Sequence, residues 1–144
     1  MTKKRLGGFT FVETLAAISI GAILSAGAGV SAVKLIDRAR TIAAENQISA
    51  FKAALQSYYI DCGRFPSTEQ GLGALWEKPT LSPVPDGWRG PYTDREISAD
   101  PWGHPYSYES RGNTEGQLPF VIASLGADGR EGGKGIDADI LSWK

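Results

Sequence analysis

Apolar residues fill positions 6–33, and Glu13 is the one ionisable side chain among them. Residues 14–33 carry no charge at all. That length matches the roughly 20 apolar residues an α-helix needs to cross a bilayer core. Beyond it the apolar positions continue but become one-sided. Leu35, Ile36, Ala39, Ile42, Ala43, Phe51, Ala54, Leu55, Tyr58 and Tyr59 recur near helical spacing, with Lys34, Asp37, Arg38, Arg40, Glu45 and Lys52 between them. The pattern predicts an amphipathic helix that continues the apolar one. No proline precedes Pro66, so the expected helix runs from residue 9 to about 61. It would be on the order of 80 Å long at ~1.5 Å per residue. A 144-residue chain cannot bury such a helix by itself, so its first half needs lipid or other subunits.

After the helix the pattern breaks into short pieces. Gly63 and Pro66 predict a helix stop. Ser67 with Gln70 three positions on forms a capping-box pattern for a short helix, with Leu72, Leu75 and Trp76 on its buried side. The run PTLSPVPDGWRGPY holds four prolines and reads as a fixed loop over a core, with Trp88 in it. Tyr106-Ser107-Tyr108 predicts one strand. QLPFVIASLG predicts a second, with Leu118, Phe120, Val121 and Ile122 as core residues. Two strands need a helix to cover them, and the polar half of the long helix is the available one. The expected class is therefore α+β, with helix and strands segregated.

Charge sharpens the topology. Lys3, Lys4 and Arg5 precede the apolar run with no acid beside them, while the whole chain has a formal net charge of −1. Cations at that position place the N-terminus in the cytoplasm and the remainder outside. No clustered basic patch suggests nucleic acid. Catalysis is also disfavoured. His104 is the single histidine and Cys62 the single cysteine, so a zinc site built of several Cys and His ligands cannot be assembled. GADGREGGKG lacks the G-K-[ST] ending of a phosphate loop, and Ser124 has no nucleophile-elbow context. The four tryptophans, Trp76, Trp88, Trp102 and Trp143, read as core or interface residues.

Glu13 is the costly residue. A carboxylate in hydrocarbon costs roughly 2.5–3.5 kcal/mol on insertion scales unless it stays wet or finds a partner. Cutting the chain after Gly8 would create one, the α-amino group of Phe9, four residues before Glu13 on a continuous helix. An amine of a neighbouring subunit would serve equally. Ala26-Gly27-Ala28 also offers a cleavage site for an ordinary secretory signal. Against that reading stand the length of the apolar run, its unbroken passage into the next helix, and the charge of Glu13 inside it.

The basic leader ending in Gly8, then Phe-Thr-x-x-Glu and a long apolar run, resembles the processing signal of type IV pilins and pseudopilins. The resemblance implies that a prepilin peptidase cuts between Gly8 and Phe9 and methylates Phe9. It further implies that Glu13 is tied to filament assembly. Many such subunits carry proline where this chain has Val30, though Gly27 and Gly29 lie close by. CGRFPSTEQGLGAL, DPWGHPY and SLGADG narrow the match, because together they resemble the major pseudopilins of the type II secretion system. A type IV pilin-like fold is implied, divided into a cleaved leader 1–8, a transmembrane and assembly helix 9–33, and a periplasmic domain 34–144. So are a homopolymeric filament that helps export folded proteins, and minor pseudopilins and an inner-membrane assembly platform as partners. Cys62 departs from the polar residue often found at its position, and no redox role is attached to it. A type IV or DNA-uptake pilin, or a secreted calcium-binding module, are the competing readings.

The stretch SLGADGREGGKGIDADI places Asp128, Asp137 and Asp139 among five glycines. Glycines let a loop fold back so that separated acids converge, and hard cations such as Ca²⁺ take 6–8 oxygens. Ordinary hairpin chemistry is the other reading, since Asp128-Gly129 is a common turn dipeptide. The spacing is not that of an EF-hand. The resemblance implies a structural Ca²⁺ here, with Asp128 and Asp139 as the firmest ligands. Asp137 and the backbone oxygens of Leu125 and Ile140 would complete the set.

Overall fold

A computed structural model describes residue 8 and residues 10–112 and 118–143, the side chains of 26–31 excepted. Phe9, Lys3, Lys4 and Arg5 lie outside the described residues, as does the side chain of Val30. The chain divides into two units, Met1–Asp37 and Arg38–Lys144. One helix, α1 (Phe11–Cys62), contributes to both.

In the first unit α1 leaves Phe11, Val12, Leu15, Ile18, Ile23 and Leu24 exposed. Among the described residues no helix is long and apolar enough to cross a membrane.

In the second unit α1 buries one stripe. Ala44, Ile48, Phe51, Leu55 and Tyr58 are spaced alternately four and three residues apart and are all buried. That spacing keeps them on one helical face. Ile42 was expected on this face but is exposed, because two residues of rotation place it roughly 200° from Ala44. Leu35 and Ile36, also expected there, belong to the first unit and are exposed too. The helix ends at Gly63, whose φ of 70° closes a backbone bond from its N–H to the Tyr59 carbonyl at 2.8 Å. Only glycine adopts that conformation without steric cost.

The stripe covers a three-stranded antiparallel sheet in the order β1 (Ser107–Ser110), β2 (Phe120–Ser124), β3 (Ile140–Leu141). Tyr108 pairs with Ile122, and Ser124 with Ile140. β2 is central and buried at every residue, which explains its uninterrupted apolar run. Leu118, expected in the core, is half exposed because the strand starts only at Phe120, past Pro119. The third strand is an addition to the two expected.

Between helix and sheet lies the predicted cap, reduced to a single 3₁₀ turn, Leu72–Leu75. The capping box forms as expected. Ser67 N–H donates to Gln70 Oε1 at 3.0 Å, and Gln70 N–H donates to Ser67 Oγ at 3.2 Å. Leu72, Ala74 and Leu75 are buried, while Trp76 is only half-buried. The proline-rich loop is pinned as anticipated. Pro85 is fully buried, and Trp88 Nε1–H donates to the Ala74 carbonyl at 2.9 Å. Tyr92 reaches α1 through a 3.0 Å bond from its hydroxyl to Asp61.

Candidate functional site

Two places hold the residues singled out from the sequence. The first is the start of α1. Thr10 sits where an N-cap belongs, and Glu13 three residues later closes a reciprocal box. Thr10 N–H and Thr10 Oγ–H both donate to Glu13 Oε2, at 2.9 and 3.0 Å, and Glu13 N–H returns a 3.3 Å bond to Thr10 Oγ. Helix starts leave backbone donors without partners, and this arrangement satisfies them locally. The sequence reading considered only cations as partners for Glu13. The Thr-x-x-Glu spacing was the available signal for this additional one. The Thr10 nitrogen is bonded directly to the Phe9 carbonyl carbon. The carboxylate is therefore held one residue from the amine that a cut after Gly8 would create.

The second place is the loop joining β2 to β3. Pairing of Ser124 with Ile140 brings the two ends of this loop together, so Leu125 and Ile140 flank its base. Within it Ala127 N–H donates to the Ile136 carbonyl at 2.9 Å. A 3₁₀ turn, Gly135–Asp137, carries the chain back. Gly126 and Gly133 close on the Asp137 backbone so tightly that a Cβ on Gly133 would lie 2.3 Å from the Asp137 carbonyl oxygen. Asp128 is exposed, and its Oδ1 accepts from Arg130 N–H at 3.1 Å. Asp139 is different. Its Oδ2 accepts from Gly132 N–H at 2.9 Å, whereas its Oδ1 is buried with no hydrogen-bond partner among the described residues. A groove of about 480 Å³ lies beside it, lined by Glu45, Ser49, Lys52, Gly135 and Ser142 among others. Lys52 crosses to the Ser142 carbonyl with a 2.8 Å bond.

Among the described residues no three carboxylate, imidazole or thiol groups converge as a metal cluster. Asp128, Asp137 and Asp139 are thus brought into one folded loop but not into one tight triad. Any cation held there would take much of its shell from backbone carbonyls.

One neighbouring arrangement was not legible from the sequence. Asp100 is buried and ties the turn 100–104 to the end of β2. Its Oδ1 accepts from Trp102 N–H at 3.0 Å and His104 N–H at 2.8 Å, and its Oδ2 accepts from the buried Ser124 hydroxyl at 2.6 Å. His104 then extends to the aspartate loop, where its Nδ1 meets the Gly126 carbonyl at 3.1 Å.

Comparison with known proteins places these features. Residues 31–143 match the family described as type II secretion system (T2SS), protein G. A "Type II secretion system core protein G" from Pseudomonas aeruginosa is 41% identical over 143 residues, covering 99% of each chain. The chain belongs to the type II secretion system protein G family. Another protein G relative, from Vibrio cholerae, is 39% identical over 137 residues and covers 94% of this chain and 90% of its own. Among solved structures, the major pseudopilin of the type 2 secretion system of enterohaemorrhagic Escherichia coli is 35% identical. It matches with a TM-score of 0.62, over 74% of this chain and 89% of that one. Residues 3–29 match the prokaryotic N-terminal methylation motif, a stretch that contains Gly8, Phe9, Thr10 and Glu13. The α+β, pilin-like expectation is met by this protein G chain: a long helix over a small antiparallel sheet, with a pseudopilin as structural neighbour.

Proposed function

We propose that the chain is the major structural subunit of a type II secretion pseudopilus and takes up that role once residues 1–8 are removed. A prepilin peptidase cuts between Gly8 and Phe9 and methylates the new amine. Residues 9–33 hold the subunit in the inner membrane with its N-terminus cytoplasmic, and residues 34–144 stand in the periplasm. Copies then assemble into a filament whose growth helps move folded proteins outward. Minor pseudopilins and an inner-membrane platform are its partners. The role is structural, not enzymatic. One observation carries the reading: the methylation motif (3–29) and the protein G match (31–143) follow one another in a single chain. Helix α1 runs through both.

Glu13 is the assembly residue in this reading. Its carboxylate accepts from the Thr10 N–H and so faces the start of the helix, and its partner in assembly would be the amine at Phe9 or one brought by a neighbour. Sequencing of the mature protein should return N-methylphenylalanine at position 9. A start near Gly29 or Val33 would instead favour a secreted module. Glu13→Ala should be inserted in the membrane and yield no filaments. Abundant normal filaments from that variant would remove the assembly role.

The aspartate loop fits a structural Ca²⁺. The fit rests on Asp139 Oδ1, a buried carboxylate oxygen with no hydrogen-bond partner among the described residues, in the loop that also carries Asp128 and Asp137. Unpartnered buried polar atoms are rare and costly. Asp128, Asp137 and Asp139 would hold the ion with the Leu125 and Ile140 carbonyls, and the ion would lock the loop between β2 and β3. Calcium at about 100 times its Kd stabilises a fold by ~2.7 kcal/mol. Chelator should therefore lower the melting temperature of the chain, and Asp139→Ala should abolish that response. A wild-type chain indifferent to both calcium and chelator would leave the loop a plain hairpin connection.

A further inference from the structure

His104 touches both ends of the turn at 126–129. Its ring Nδ1 lies 3.1 Å from the Gly126 carbonyl. That partner can only accept, so Nδ1 carries the proton. At the other end, a Cβ on Gly129 would fall 2.9 Å from Nε2 and 3.0 Å from each flanking ring carbon. The ring edge therefore abuts the Gly129 backbone, and a side chain at 129 would force the ring or the turn to shift. Gly126 and Gly129 also hold φ values of 64° and 65°. Each is the residue immediately after one of the expected calcium ligands, Leu125 and Asp128.

His104 is itself fixed. Its N–H donates to Asp100 Oδ1 at 2.8 Å, and its carbonyl accepts from Asp100 N–H at 2.8 Å. Asp100 is anchored in turn by the buried Ser124 hydroxyl on the last residue of β2. An unbroken series of hydrogen bonds thus leads from the strand end through Asp100 and His104 to the turn that follows the strand.

We propose that His104 is the positioning residue of the aspartate loop: it sets the direction of the Leu125 carbonyl and the placement of Asp128 without touching the ion. With Nδ1 protonated and Nε2 against Gly129, the ring has no lone pair directed at a cation. The loop-ordering half of this assignment stands on the geometry alone; the ligand-placing half rests on the calcium reading above. The distinguishing chemistry is the position of the donor. The amide nitrogen of asparagine occupies the same place along the side chain as Nδ1. That of glutamine lies one bond further out, and leucine has the branch but no donor.

The test compares the full chain in detergent as wild type, His104→Leu and His104→Asn. Amide hydrogen exchange is followed in chelator, and Ca²⁺ binding by calorimetry. Loss of one hydrogen bond should speed exchange at residues 126–130 about tenfold in the leucine variant, with residues 48–58 unchanged. Ca²⁺ affinity should fall by a similar factor, and asparagine should restore most of both. If leucine loosens residues 48–58 as well, His104→Gln replaces it with the same expectation. Wild-type exchange and affinity in the leucine variant, or an asparagine variant as impaired as leucine, overturns the proposal. A wild-type chain that binds no Ca²⁺ overturns the calcium reading and the ligand-placing role with it. The exchange contrast in chelator then judges the loop-ordering role separately.

Discussion

Tyr58 and Tyr108 share one core, but their hydroxyls are in opposite situations. Tyr108 O–H donates to the Pro66 carbonyl at 2.9 Å in a buried bond. Tyr58 is fully buried, and among the described residues its hydroxyl makes no hydrogen bond of normal geometry, with only the weakly accepting Cys62 side chain close enough to act on it. A buried hydroxyl without a partner carries its desolvation penalty uncompensated, whereas deleting one partner of a made bond strands the other. Tyr58→Phe should therefore leave stability unchanged or raise it by up to about 1 kcal/mol, while Tyr108→Phe should lower it by about 1–2 kcal/mol. Thermal melting of the two variants beside the wild type checks the contrast. Equal losses would mean that the Tyr58 hydroxyl has a partner after all.

At the scale of elements, two glycines separate conformational cost from packing cost. Gly63 ends α1 at φ 70° with open space around its missing Cβ, so Gly63→Ala meets only the left-handed penalty, about 1 kcal/mol. Gly126 has a similar φ, but a Cβ there would lie 2.8 Å from the Asp137 carbonyl carbon. Gly126→Ala should therefore lose clearly more than Gly63→Ala in the same denaturation series. The helix, its glycine stop and the Ser67–Gln70 box were legible because each depends on residues within a few positions of one another. So was β2, a run of five buried residues. β3 was not, since Ile140–Leu141 is too short to show alternation and exists only through pairing with β2. The stripe of Ala44 and Ile48 was missed because alanine gives a weak apolar signal and the turn between them is polar. The three aspartates were visible as a group. The orphaned oxygen of Asp139 and the His104 contact, 22 residues from its partner in sequence, depend on how the loop closes.

At the scale of the whole molecule, alkaline pH acts on the unit Arg38–Lys144 through its tyrosines. Burial pushes Tyr58, Tyr92, Tyr106 and Tyr108 each up to about 12. An unfolded chain releases those protons near pH 10. From about pH 9 to 12 the folded state holds more protons, so stability falls as pH rises and is nearly flat below that window. Denaturation midpoints at pH 8, 9 and 11 should show almost no change over the first step and a clear loss over the second; an unchanged midpoint at pH 11 would contradict the burial. The start of α1 has a different consequence. The Glu13 carboxylate is already engaged by two donors of Thr10. An incoming amine would exchange partners with it rather than find it bare, and the net gain would be the difference between two satisfied states.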